Sequence, residues 1–404
     1  MKQVAYIVNT GIITAIGNDT AACLDALLHG RTGVSKAEYL KTHWSEEFPV
    51  AEVKASNKAL ATIAGVDAKW PRTAILSAIA VKEAWQPFAE KLRGLKVGFF
   101  SATTVGGMDL TENVYKAFKE DSSSVDFNSI KNHECGAITE LVANHFGIND
   151  FVTTISTACS SSANSIMMAA QMIGNGMLDV AIAGGADSLS KFTLNGFNTL
   201  MILDKQACQP FDNNRRGLNL GEGAGYLLLM SEKAMQQCGA TASCVVSGYA
   251  NANDAYHQTA SSPDGTGNKL AMGNALKVAN LLPADINYIN LHGTGTANND
   301  SSEGKAIEVL FDGKVPASSS TKAYTGHTLG AAAGVEAVFS VLSIKEGIVY
   351  PNLRWETQME DVSFKPVTEL KTRLDIRHVL SNSFGFGGNC SSLVFSKCLV
   401  WNCI

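Results

Sequence analysis

The chain has 404 residues, 46% of them hydrophobic and 17% charged, with 36 glycines and a formal net charge of −5. Such a composition excludes a disordered or collagen-like chain and gives no bulk basic charge for nucleic acid, while leaving room for a local basic patch facing an acidic partner. The length suits two or three ordinary domains, or two fused ones sharing a large interface.

Nine cysteines with no C-x-x-C pair argue against a disulfide framework and for a reducing, cytoplasmic setting. No run reaches the roughly 18 uninterrupted apolar residues of a membrane span, so no membrane insertion is expected. The apolar start is interrupted by Asn9 and Thr10 and reads as a strand rather than a signal peptide. Residues 401–404 lack a leading cysteine and do not form a prenylation box. The tail KCLVWNCI is unusual and has no assigned role.

In chain order, residues 4–16 predict a strand, and Asp19-Thr20 caps a helix over 21–28. Residues 31–70 are polar and irregular. Pro71 opens a helix over 72–88, and KVGFFS at 96–101 is a strand. Val105-Gly106-Gly107 forms a loop, followed to residue 149 by short helices of mixed periodicity. The β-branched run 152–155, the small residues STACSSS, and Ile166, Met167, Ala170 and Ile173 at three- and four-residue intervals then spell strand, turn, helix. Gly174 and Gly176 end that helix, and 178–183 restarts as a buried strand. GEGAG at 221–225 reads as a turn before a strand over 226–230; without a following G-K-[ST] it is not a nucleotide loop. Beyond residue 243 the pattern begins again. Strands are predicted over 244–250, 286–291, 378–382 and 391–395, and helices over 268–280, 302–310 and 334–344. This weak internal duplication implies two α/β halves, 1–242 and 243–404, meeting at a shared interface with Cys159 and His327 on equivalent turns.

Cys159 sits at the strand-to-helix corner, where unpaired N–H groups and the positive end of the helix dipole favour thiolate. The competing reading is a small buried hydrophobe. His292 in LHGTGTANNDSSE and His327 in TKAYTGHTLGAAAG also follow predicted strands amid glycines and small polar residues. A lone histidine in such a place is more often structural, but two beside a poised cysteine indicate chemistry. Thiolate and imidazole also permit a Cys-His-His zinc site, against which the glycine-rich surroundings count. No metal is expected.

STACSSS, HGTGT-x-x-x-D-x-x-E, K-x-x-x-G-H-x-L-G and NSFGFGG, in this order, resemble the β-ketoacyl synthases that elongate acyl chains on acyl carrier protein. The similarity runs from GIITAIGND to Phe395. It implies an α/β fold of the thiolase type, a duplicated five-layer αβαβα sandwich, and a dimer. It implies no cofactor beyond the phosphopantetheine of the carrier. By the resemblance, Cys159 takes the acyl group, and His292 and His327 stabilise the enolate left when malonyl loses CO2. Cys159 and Phe386 N–H groups form an oxyanion hole, Lys322 tunes His327 and the charge of the site, and Glu303 holds that network together. Thr294 and Thr296 hydrogen-bond pantetheine, while Phe386 gates an acyl pocket walled by Val105. Lys69, Arg72, Arg215 and Arg216 are candidate contacts for the acidic carrier. Where the family continues GFGG with Thr-Asn, this chain has Asn389-Cys390, which removes the usual brace of that loop. The alternatives are a ketosynthase active only as a heterodimer with a chain-length-factor-like subunit, and a non-elongating thiolase-like acyltransferase.

Overall fold

The computed structural model describes residues 3–398; the expectation for residues 401–404 and most of the tail lie outside the described residues. Ten strands form one hydrogen-bonded sheet: β1 (Ala5–Thr14), β2 (Val97–Ala102), β3 (Phe151–Ile155), β4 (Val180–Asp187), β5 (Gly223–Met230), β6 (Cys244–Asn253), β7 (Tyr288–Asn290), β8 (Ala317–Ser319), β9 (His378–Gly385) and β10 (Asn389–Lys397). From the centre outward the first half runs β1-β5-β4-β2-β3 and the second β6-β10-β9-β7-β8. Both halves pair antiparallel, antiparallel, parallel, parallel along that order. The duplication glimpsed in the sequence is therefore a repeat of topology, joined by a short β1–β6 ladder at Ala5, Tyr6 and Ile7.

Helix Arg72–Trp85 covers one face of the first half and Thr266–Ala279 one face of the second. Between the halves lie Ser161–Gly174 and Ala332–Glu346, which touch each other and strands of both. This is the αβαβα layering. Ala332–Glu346 is buried on all sides from Ala332 to Ile344, as a helix enclosed by the two halves of the sheet must be. Its close approach needs glycine: a Cβ on Gly225 of β5 would lie 2.5 Å from the Gly334 carbonyl carbon.

Boundaries moved in places. The predicted 302–310 helix begins earlier, as Ala297–Leu310, and a helix not predicted above, Lys191–Thr199, follows β4. The irregular 31–70 segment holds a short helix, Asn57–Ala64, and a small ribbon pairing Val34 with Ala51. GEGAG is only partly a turn, because β5 already starts at Gly223. The eight cysteines among the described residues are all free, and no described helix is long and apolar enough to cross a membrane.

Candidate active site

The Cys159 corner joins β3 to helix Ser161–Gly174 through Ala158, a non-glycine residue at φ 53°. The neighbouring serines hold this strained turn. Ser161 Oγ donates to the Ala158 carbonyl at 2.6 Å and accepts from the Thr157 N–H, while Ser160 Oγ donates to the Thr157 carbonyl. The expected thiolate is not the resting state. Burial pushes the Cys159 thiol up to about 11, outweighing the Lys322 charge and the Phe386 and Cys159 N–H groups that favour the anion.

His327 occupies the topologically equivalent corner, between β8 and helix Ala332–Glu346. Its backbone is clamped on both sides, the N–H donating to the Asn219 carbonyl and the carbonyl accepting from Gly221. Its Nδ1 accepts the Leu329 N–H at 3.0 Å. His292 follows β7, and the D-x-x-E spacing behind it now has a physical reason. One turn of helix Ala297–Leu310 places two carboxylates over the preceding loop. Glu303 accepts the His292 and Gly293 N–H groups at 2.9 and 2.8 Å, and Asp300 accepts those of Thr294 and Gly295.

Glu303 thus braces the His292 backbone and itself accepts from Asn382 Nδ2; the acidic partner of Lys322 is another residue. That partner is Glu336, missed in the sequence because it stands inside GAAAGVEA. Lys322 Nζ donates to Glu336 Oε1 and to His292 Nδ1, the latter at 3.2 Å, with all three side chains buried. Burial pushes the Glu336 carboxyl up and the Lys322 charge pulls it back.

The two rings stand 5.5 Å apart at 89°, and Cys159 Sγ with one nitrogen from each ring lie within 4.8 Å of one another. The grouping has the residue types of a zinc site, but its surroundings are wrong for one. A metal-bound imidazole donates its other N–H to an acceptor, whereas here both Nδ1 atoms receive donors, the Leu329 N–H and the Lys322 ammonium. Each neutral ring therefore carries its proton on Nε2, so the site has two N–H donors for an oxyanion. Burial and the nearby Lys322 charge hold both rings neutral, His292 well below its ordinary value and His327 at about 3.

Cys159 lies where two cavities meet. One, about 410 Å³, is walled by apolar side chains including Val105, Met108, Phe197 and Leu200. The other, about 290 Å³, has a mixed lining, with Thr294, Thr296, His292 and His327 beside Met201, Ile202 and Leu218. Phe386 lines both and stacks on Phe197 at 5.9 Å. Its loop is braced from residues 253–258: Gly387 N–H donates to the Gln258 carbonyl, Asn253 Nδ2 to that of Gly387, and Asp254 N–H to that of Gly388. The loop is therefore braced with Asn389-Cys390 in place. Asp187, also unremarked in the sequence, ties the two sides of the site together by accepting from the Val105 and Gly330 N–H groups.

Of the four residues expected to meet the carrier, Arg216 is exposed at the second cavity and Lys69 is exposed away from its lining. Arg72 is not a surface cation. It is buried against Glu222, bonded through Nε and Nη2, and donates to the Val53 and Ala55 carbonyls. The Arg215 side chain is 8% exposed and is taken up by the Asp212, Thr296 and Ala297 carbonyls. Arg72→Met should destabilise the fold by about 3–5 kcal/mol, the usual result of stranding a buried charge. Denaturant titration measures this, and a cost under about 1 kcal/mol would mean that Glu222 does not need the guanidinium.

Residues 2–235 match the family of the beta-ketoacyl synthase N-terminal domain, and residues 243–356 that of its C-terminal domain. The 3-oxoacyl-[acyl-carrier-protein] synthase 2 of Staphylococcus aureus is 33% identical, over 98% of this chain and 99% of that protein. Among solved structures, the ishigamide ketosynthase/chain length factor superposes with a TM-score of 0.91 at 25% identity, covering 99% of this chain and all of the other. The ketosynthase ApeO, in complex with its chain length factor ApeC from Xenorhabdus doucetiae, gives 0.86 at 30% identity, with 98% of each chain covered. With both family matches in sequence order on a duplicated αβαβα sandwich, this chain belongs to the β-ketoacyl synthases, the acyl-transferring enzymes of the thiolase superfamily.

Proposed function

We propose that this enzyme joins an acyl group held on Cys159 to the two-carbon unit of malonyl-acyl carrier protein, by decarboxylative Claisen condensation. Cys159 Sγ attacks the carrier-bound thioester; the new S–C bond replaces the pantetheine S–C bond, and the thiol proton leaves with pantetheine. Malonyl then enters past Thr294 and Thr296, whose hydroxyls lie 2.9 Å apart and suit the pantetheine amides. Its C–CO2 bond breaks and the electron pair forms an enolate, whose oxygen takes the Nε2–H groups of His292 and His327. The enolate carbon attacks the acyl carbonyl, with the oxyanion met by the Cys159 and Phe386 N–H groups. Collapse breaks the S–C bond, and one solvent proton restores the thiol.

The observation that carries this reading is the meeting of one sulfur and two N–H-donating imidazoles at the junction of an apolar cavity and one of mixed lining. No cofactor is required beyond the carrier's phosphopantetheine, and the free cysteines suit a cytoplasmic enzyme. Strand β3, with the sequence FVTTI, is an uncharged and half-buried edge. Such edges in stable proteins are covered, which favours a dimer, either of two copies or with a chain-length-factor-like subunit. Halves 1–242 and 243–404 act as one unit, one bringing the sulfur and the other both imidazoles.

Intact-protein mass spectrometry after incubation with an acyl-carrier thioester should show the acyl group on Cys159, and its absence would overturn the reading. His327→Ala should slow CO2 release from malonyl-carrier by about 10²–10³, the usual effect of losing one oxyanion donor. In the native enzyme that release should show no step near pH 6.5, because the His327 ring stays neutral down to about 3. A titration there would mean that a charged imidazole does the work.

A further inference from the structure

The tautomer of His292 is held by a side chain, the Lys322 ammonium. That of His327 depends on a main-chain donor, the Leu329 N–H at 3.0 Å. This N–H reaches the ring from a residue at φ 53°, a left-handed turn that disfavours any residue with a Cβ. Such a conformation persists only where its surroundings fix it. What fixes it lies one residue on.

Gly330 is anchored from both sides. Its carbonyl accepts Ser162 Oγ at 2.7 Å, and its N–H donates to Asp187 Oδ2 at 2.7 Å. A Cβ on Gly330 would lie 2.9 Å from that oxygen and 2.9 Å from Thr104 Cγ2, so the loop sits hard against the carboxylate. Asp187 is fully buried at the end of β4, and both of its oxygens face main-chain donors. Oδ1 accepts from the Thr104 and Val105 N–H groups and from Thr103 Oγ1, while Oδ2 accepts from the Gly330 N–H and Thr104 Oγ1.

On the reading above, we infer that Asp187 is a positioning residue for His327. Through Gly330 it holds Leu329 in the turn that presents a donor to Nδ1, and so keeps the ring proton on Nε2, where the enolate forms. An amide cannot copy this, because its NH2 must meet a main-chain N–H whichever way it turns. With its oxygen in the Oδ2 place it opposes two, from Thr104 and Val105; with its oxygen in the Oδ1 place it opposes one, from Gly330. The second orientation loses less. Asp187→Asn therefore keeps the cavity wall at Val105 and gives up the hold on Gly330.

Asp187→Asn, its fold checked by thermal unfolding, should lower CO2 release from malonyl-carrier by about 10–100-fold, the scale of a displaced catalytic group. Acylation of Cys159 by octanoyl-pantetheine, read by mass spectrometry, should stay within about threefold, because the lost interaction serves only the other step. Nitrogen NMR of ring-labelled histidines should show one protonated and one bare nitrogen for His327 in the native enzyme, and a loss of that contrast in the variant. Adding Leu329→Gly, which takes the left-handed turn without penalty, should return CO2 release severalfold, and the same relief supports folding if Asp187→Asn alone is too unstable to assay. Acylation and CO2 release falling together, or an unchanged His327 contrast in a folded variant, would overturn the inference. Failure of the native enzyme to load octanoyl would count against the condensing function alone, since the histidine spectra read the tautomer without turnover.

Discussion

Cys159→Ala should reduce condensation by at least about 10⁴, in line with the loss of other activated nucleophiles, while the protein remains folded. The second half of that statement is as testable as the first. Cys159 is 7% exposed, and alanine removes one sulfur from a corner whose shape is set by Ala158 and by Ser160 and Ser161. Thermal unfolding should therefore shift little. CO2 release from malonyl-carrier should continue in this variant, because the two Nε2–H donors and Lys322 are untouched. Retained condensation would remove Cys159 from the mechanism. Loss of CO2 release in a folded variant would mean that sulfur and imidazoles act as one unit rather than in two successive steps.

Lys322→Met should have the next largest effect, and a double variant separates its causes. Removing the ammonium strands Glu336 in a fully buried place, at a cost of about 3–5 kcal/mol. It also removes the donor that keeps the proton of His292 on Nε2, so turnover should fall by about 10²–10³. Replacing both partners, Lys322→Met with Glu336→Leu, removes the stranded charge and should recover most of the stability, since apolar substitutes for buried pairs are often neutral. Activity should not return with it. If the double variant regains activity along with stability, Lys322 is a structural residue and His292 keeps its tautomer without it.

What the sequence made legible was local. The change from β-branched alternation to a helical interval announces the Cys159 corner, and the linked motifs announce both histidines, since these signals lie within a few residues. The missed residues act across long separations. Arg72 follows Trp-Pro and resembles any surface arginine at a helix start, because its partner Glu222 is 150 positions away. Glu336 looks like an isolated acid among alanine and valine until folding brings Lys322 against it. The acidity of Cys159 failed for a different reason. The corner does favour the anion, but the depth of burial, which no local pattern encodes, outweighs it.

The glycine contact between Gly225 and Gly334 has a mechanical consequence. Backbone pressed on backbone leaves no compressible side chain between the sheet that bears the sulfur and the helix that follows His327. The two surfaces that carry the sulfur and the imidazole therefore meet through rigid main chain on both sides.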